Sequence, residues 1–262
     1  METVNEPDIL DPAAQDMFQI RNAMKSPPTH GAYFYGVLRS AYTAKAVQAP
    51  GFVAMEMGVA TGRGLLALAD IARIVGDRLG LKIHVVGFDS GEGLPLPNDV
   101  RDVPYGLSLG DYKMDVDRLR SQLAPTTELI LGDVAETVPQ YMDRITMPVG
   151  FVSNDLDFYT GTIASLRPFA TADHTKVLPR IAMYFDDLFG YPYTTMNGEW
   201  AAITEFNTLN PQRMIGKIEG LRWKIGSPYD RQPWADLMYI LESWDHPRFK
   251  DSESAGRAAH SL

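Results

Sequence analysis

The chain has 262 residues, 45% of them hydrophobic and 22% charged, a balance that suits one α/β domain with a sizeable core. A formal net charge of −9 argues against a nucleic-acid surface, because neutralising phosphates takes clustered Lys and Arg. Without cysteine, disulfides and thiolate metal sites are excluded, and with only five scattered histidines any metal would rest on oxygen ligands. No apolar run approaches the roughly 18 residues of a membrane span, and METVNEPDILDP lacks the basic and apolar regions of a signal peptide. A cytoplasmic protein with neither membrane nor nucleic-acid partner is expected.

Residues 1–45 read as helical and are expected to form a lid or a dimerisation element, with a homodimer as the expected assembly. Within them Tyr33, Tyr35 and Tyr42 leave two readings open, the lining of an entry or interface and plain core packing, and His30 reads as a packed or surface residue. Residues 46–249 then alternate strand-like and helical patterns, the signature of βαβ units in a largely parallel sheet. FVAMEMG is the first strand and LLALADIARIVGDRLG its helix; KIHVVGFD is the second strand, ending on Asp89. DYKMDVDRLRSQLA has apolar positions three and four apart and predicts a helix before ELILGD, a short third strand. ETVPQYMDRI predicts a helix, PVGFVSND a fourth strand, IASLRPFA a helix and RIAMYFDD a fifth strand closing on two aspartates. GEWAAITEFNTL is an amphipathic helix, and KIEGLRWKI with ADLMYILESW is expected to complete the sheet as an antiparallel pair. The tail KDSESAGRAAHSL, 250–262, has the composition of a disordered end.

Ligands of an open α/β sheet bind beyond the carboxyl ends of its strands, which here carry Asp89, Asp133, Asp155 and the pair Asp186 and Asp187. In EMGVATGRG the glycines 58, 62 and 64 follow G-x-x-x-G-x-G, not the G-x-G-x-x-G of a dinucleotide cradle. Glu56 would repel a pyrophosphate yet accept from an ammonium group such as that of S-adenosylmethionine. Asp89, 25 positions after Gly64, is placed to accept ribose hydroxyls. Asp133, after Gly132, reads equally as an acceptor from an adenine amino group and as a helix N-cap. Asp155 and Asp157 share a side of an extended segment, and YFDD brings Asp186 and Asp187 close by. Such carboxylates without nearby cations repel one another, so a divalent ion, Mg²⁺ or a close relative, is the economical explanation, with helix caps or solvated residues the alternative. Asn154 reads as a neutral ligand or a turn residue, and Asp157 receives no assigned role.

With these residues in view, FDSGEGLP at 88–95 is similar to the FDSFEGLP signature of the macrocin O-methyltransferase family, metal-dependent sugar O-methyltransferases of macrolide and aminocoumarin antibiotic pathways. EMGVATGRG resembles that family's E-x-G-V-x-x-G-x-S motif, LILGDVAETVP its G-x-F-x-x-T-L-P segment, DLDFYTGT its D-x-D-x-Y-x-S-T and FDDLFG its D-D-Y strand end. Gly91, Gly161 and Leu188 stand where the patterns have an aromatic residue, a serine and a tyrosine. The resemblance implies a Rossmann-like class I methyltransferase fold, a seven-stranded mostly parallel sheet with one antiparallel strand. It also implies S-adenosylmethionine on Glu56, Gly58, Thr61, Gly62, Asp89, Ser90, Gly132, Asp133 and Asp155, and Mg²⁺ on Asp155, Asp186 and Asp187 with Asp155 as base. The expected activity is methylation of a hydroxyl on a small molecule, a sugar of a natural product or a catechol-like diol. The competing expectations are a non-catalytic S-adenosylmethionine-binding protein and a nicotinamide-dependent reductase, the latter disfavoured by the glycine spacing.

Overall fold

The computed structural model describes residues 11–25, 29–102, 107–224 and 233–252. The predicted N-terminal helical stretch contains α1 (Pro12–Ala23) and α2 (Gly31–Ala46), and most of the predicted tail lies outside the described residues. Asp11 caps α1 by accepting from the Ala13 amide at 3.0 Å, with Pro12 at the first helical position where its missing N–H costs nothing. The Tyr35 and Tyr42 hydroxyls of α2 donate to Asp11 and Asp16, so these two tyrosines bind α1 to α2. Thirteen of the sixteen residues of α2 are buried, and the helix packs on the sheet as a layer of the core.

Seven strands follow: β1 (Gly51–Met57), β2 (Lys82–Asp89), β3 (Thr127–Leu131), β4 (Val149–Asn154), β5 (Val177–Phe185), β6 (Arg213–Lys217) and β7 (Met238–Ser243). Their order is β3-β2-β1-β4-β5-β7-β6, and β7 alone is reversed, pairing antiparallel with both β5 and β6. The predicted sheet is thereby found, with one displaced element. Its outermost strand is RMIGK, not KIEGLRWKI, whose residues Leu221–Lys224 form a single helical turn, α8. The six-residue β7 is matched from 239 to 243 by 213–217, which leaves no strand partner for 219–224.

Helices cover both faces. On one lie α1, α2 and α3 (Arg63–Leu79), on the other α5 (Val134–Arg144), α6 (Tyr159–Thr171) and α7 (Gly198–Leu209). The segment predicted as a helix from Asp111 is helical only from Val116 to Gln122 (α4), where Asp115 caps it by accepting from the Arg118 amide. Alternation along fully buried β1 sorts its side chains between the faces: Phe52 and Ala54 meet α2 and α3, while Val53, Met55 and Met57 meet α5 and α6. Glu56 falls on the α2/α3 side by the same period.

The strand ends are locked to one another beyond the last ladder bonds. The Gly58 amide donates to Phe88 O at 2.9 Å, the Asp155 amide to Met57 O at 2.9 Å and the Asp186 amide to Asn154 O at 3.1 Å. Gly58 has φ of 84°, and a Cβ there would lie 1.9 Å from the Asp155 carbonyl oxygen. A Gly58→Ala substitution should cost roughly 1 to 3 kcal/mol from left-handed strain alone, with the clash added. Urea unfolding would show this as a lower midpoint at unchanged slope, and a wild-type midpoint would contradict the tight junction.

Candidate donor and acceptor cleft

At the carboxyl edge of β1, Glu56 is 2% exposed. Its Oε1 accepts from the Tyr33 hydroxyl at 2.7 Å, which in turn accepts from Ser153 Oγ at 3.0 Å, while Oε2 is buried with no partner. Burial, ahead of the Asp89 charge, pushes the Glu56 carboxyl up to about 8, and the Tyr33 hydrogen bond works against that rise. Helix α3 approaches closely because residue 64 lacks a side chain: a Cβ on Gly64 would lie 1.9 Å from Glu56 Oε1. Of the α2 tyrosines, only Tyr33 serves this layer. An unsatisfied acceptor of this kind is costly to bury, and a cationic N–H donor is the chemistry that would complete it.

Asp89 closes the turn above Glu56. One of its oxygens accepts from the amides of Val59 and Ala60 at 2.8 and 2.9 Å, and the other from the Gly91 amide at 2.7 Å. It therefore pins the glycine turn as well as facing the cleft. Ser90 donates to Gly93 O at 3.1 Å and lines the same cleft with Gly58, Gly132 and Asp133. Asp133 is the N-cap of α5, accepting from the Ala135 amide at 2.8 Å, and the residue also lines the cleft. Gly62 caps α3 in the left-handed conformation, and Thr61 lies exposed in the turn before it.

The cleft, about 890 Å³, continues from these residues to Asp155, Asp157, Asp186 and Asp187. Carboxylate oxygens of Asp155, Asp157 and Asp187 lie within 4.8 Å of one another. The pattern at 155 and 157 thus does bring two carboxylates together, although Asp157 has φ of 58° and is not extended strand. Asp186, expected in this group, accepts from the Tyr184 hydroxyl and stands near enough to add its charge to Asp155, while Asp157 joins Asp155 and Asp187 in the close group. Asn154 is fully buried and its Oδ1 accepts from Ser165 Oγ at 2.9 Å, away from the acid group.

The surroundings hold these carboxylates in place. The Asp157 amide donates to Asp187 Oδ2 at 3.0 Å, Tyr193 hydrogen-bonds the Asp187 side chain, and Glu199 Oε2 accepts from the Asp187 amide at 3.0 Å. Asp155 opens to the cleft, yet desolvation first, then the charges of Asp186, Asp187 and Asp157, raise its pKa well above the carboxylate range. Asp157 and Asp187 are raised for the same two reasons, desolvation leading. Among the described residues no ion pair includes any of the three. Three oxygen ligands without a neutralising side chain form a donor set that suits a hard divalent cation.

One wall is a loop that sequence patterns had left unassigned. Asp102, 5% exposed, accepts from the amides of Asn98 and Asp99 at 3.0 and 3.1 Å and, with its other oxygen, from the Thr160 amide at 2.9 Å. Arg101 lies 3.6 Å over the Tyr159 ring and pairs with Asp99 and Glu205, each at 2.8 Å. The Asx pattern in NDVRD was the available signal for this fold-back. Tyr33, Tyr193 and Glu199 carried no comparable local signal.

Searches of family models and of curated proteins find no match to this chain. Solved structures do match. The calicheamicin methyltransferase CalS11 aligns over 92% of this chain and 94% of its own at 18% identity and a TM-score of 0.52. The O-methyltransferase NovP aligns over 89% and 96% at 15% identity and a TM-score of 0.53. At such identities the likeness is one of fold, and with the strand order above it gives this chain the class I methyltransferase fold.

Proposed function

We propose that the protein is an S-adenosylmethionine-dependent O-methyltransferase acting on a small hydroxylated molecule, with a divalent cation, Mg²⁺ or a relative, held by Asp155, Asp157 and Asp187. The observation that carries this reading is a buried, half-satisfied Glu56 directly behind a turn whose Gly58, Ala60 and Asp89 line the same cleft as a group of three unneutralised carboxylates. CalS11 and NovP carry methyltransferase names on the same fold, which supports the class of reaction.

In this reading Glu56 Oε2 accepts from the donor's ammonium, Asp89 and Ser90 flank the ribose, and Asp133 lies beside the adenine. The donor supplies a methyl group already activated on sulfonium, and a cation supplies positive charge that acidifies a neighbouring hydroxyl. The protein's own task is to align the acceptor oxygen with that methyl and to accept its proton at an Asp155 carboxylate oxygen. Asp157 and Asp187 hold the acceptor's direction. Asp186 stands beside this group, bonded to Tyr184, and contributes charge to it.

The mouth of the cleft speaks to the acceptor. Of the exposed large apolar and aromatic residues, Leu96 and Tyr112 line it, both on the connection from β2 to α4, across which the Leu94 amide donates to Asp111 O. The arginines on the wall, 101 and 167, are balanced by Asp99 and Glu205. An uncharged diol or sugar hydroxyl joined to an apolar body fits this rim better than a phosphorylated acceptor.

Calorimetric titration with S-adenosylhomocysteine, in Mg²⁺ and in EDTA and with NADH as control, tests the donor. Micromolar binding of the homocysteine product without NADH binding is expected; NADH binding alone would overturn the reading. Burial pushes the free Glu56 carboxyl up to about 8, so it holds its proton at pH 7 and would release it to solvent when an ammonium binds in its place. Binding should therefore expel up to about one proton, seen as a dependence on buffer ionisation enthalpy, and should strengthen by up to about tenfold per pH unit from 6 toward 7.5. Glu56→Gln should remove both effects, and their persistence would place the ammonium elsewhere.

Asp155→Asn should lower turnover of any accepted substrate by about 10² or more, as for loss of a general base, with S-adenosylhomocysteine affinity little changed. Loss of product binding instead would put Asp155 in the donor pocket.

A further inference from the structure

Glu199 is a fully buried carboxylate in the first turn of α7. An acid in that position usually faces water, where the helix dipole favours it. Here it points inward. Its Oε2 accepts from the Asp187 amide at 3.0 Å, and its Oε1 is buried without a partner. One residue on, Trp200 Nε1 donates to Leu188 O at 3.2 Å, so the same helical turn grips two successive residues after β5. Beside it the Gly198 amide donates to Arg101 O at 2.8 Å, and a Cβ on Gly198 would come within 3.4 Å of Asp157 O. The start of α7 is thus wedged against both Asp157 and Asp187. Asp187 has its side chain set by the Asp157 amide and Tyr193, and its main chain set by Glu199.

We propose that Glu199 is a positioning residue, fixing the Asp187 main chain so that its carboxylate meets those of Asp155 and Asp157 on a divalent cation. The inference rests on the metal reading above and adds a residue that touches neither donor, acceptor nor cation. A carboxylate with an unpaired buried oxygen is costly, and burying apolar surface instead would be the cheaper choice at a purely structural position. The one bond it makes goes to the residue whose placement decides whether three ligands converge. Outer partners of this kind orient the ligands they hold.

The test uses the full chain with Mn²⁺ as probe. Glu199→Gln keeps an acceptor for the Asp187 amide, and Glu199→Met fills similar volume without one. Mn²⁺ affinity, followed by calorimetry or by the paramagnetic resonance of free Mn²⁺, should fall by about 10- to 100-fold in the Met variant and stay near wild type in the Gln variant. S-adenosylhomocysteine affinity should be unchanged in both. Hydrogen exchange in the segment 186–188 should quicken in the Met variant and not in the Gln variant. If the Met variant fails to fold, Glu199→Asp, which withdraws the acceptor by one methylene, replaces it with the same expected loss. A folded Met or Asp variant that binds Mn²⁺ as tightly as wild type overturns the inference alone. A wild-type protein that binds the homocysteine product but no Mn²⁺ overturns the metal reading, and this inference with it, while leaving the donor site standing.

Discussion

The missing side chain at Gly58 is the constraint on which the site depends. It lets the end of β4 come against the end of β1, with the Asp155 carbonyl where a Cβ would otherwise stand, while the Gly58 amide reaches across to Phe88 at the end of β2. Three strands therefore finish within hydrogen-bonding reach, and their terminal side chains share one cleft. The placement of Glu56, Asp89 and the acid group at Asp155 follows from that one junction.

The free protein carries an electrostatic cost at this edge. Among the described residues, Glu56 and Glu199 are buried with one oxygen each unpaired, and Asp155, Asp157 and Asp187 crowd together with no ion pair. Desolvation leads the upward pKa shift of every one of these five groups. The sign of the linkage is the reverse of the usual acid case. A carboxyl whose folded pKa is raised is protonated in the folded state while ionised in the unfolded one, so stability falls as pH rises from the ordinary carboxylate range through the raised value. For Glu56 that window runs from about 4.5 to about 8. Ligands that bring positive charge, an ammonium on one side and a divalent ion on the other, would offset the cost where it is concentrated.

Much of this was legible in the sequence because the βαβ pattern repeats with little interruption. Strand ends carrying acids, a glycine turn behind GFVAMEM, and the order of landmarks around FDSGEGLP located the cleft. The carboxylate partnership was harder to read. A two-residue alternation joins Asp155 to Asp157, but the left-handed backbone at Asp157, not an extended strand, brings the two side chains together with Asp187. The same alternation along β5 turns Asp186 to Tyr184. KIEGLRWKI has strand-like composition, yet only its first residue joins the sheet and 221–224 turn helical, a matter settled by sheet geometry and not by local preference. Glu199 looked like an ordinary helix-start acid, and Tyr33 like one aromatic among several on an amphipathic face. Their contacts reach across 12 and 23 positions of chain, which no period encodes.

The most direct test of the account is a crystal structure of the protein with S-adenosylhomocysteine and Mn²⁺. The homocysteine ammonium is expected within hydrogen-bond distance of Glu56 Oε2, and an anomalous Mn²⁺ peak enclosed by Asp155, Asp157 and Asp187. A homocysteine product lying away from Glu56, or a metal peak that bypasses these three carboxylates, would contradict it.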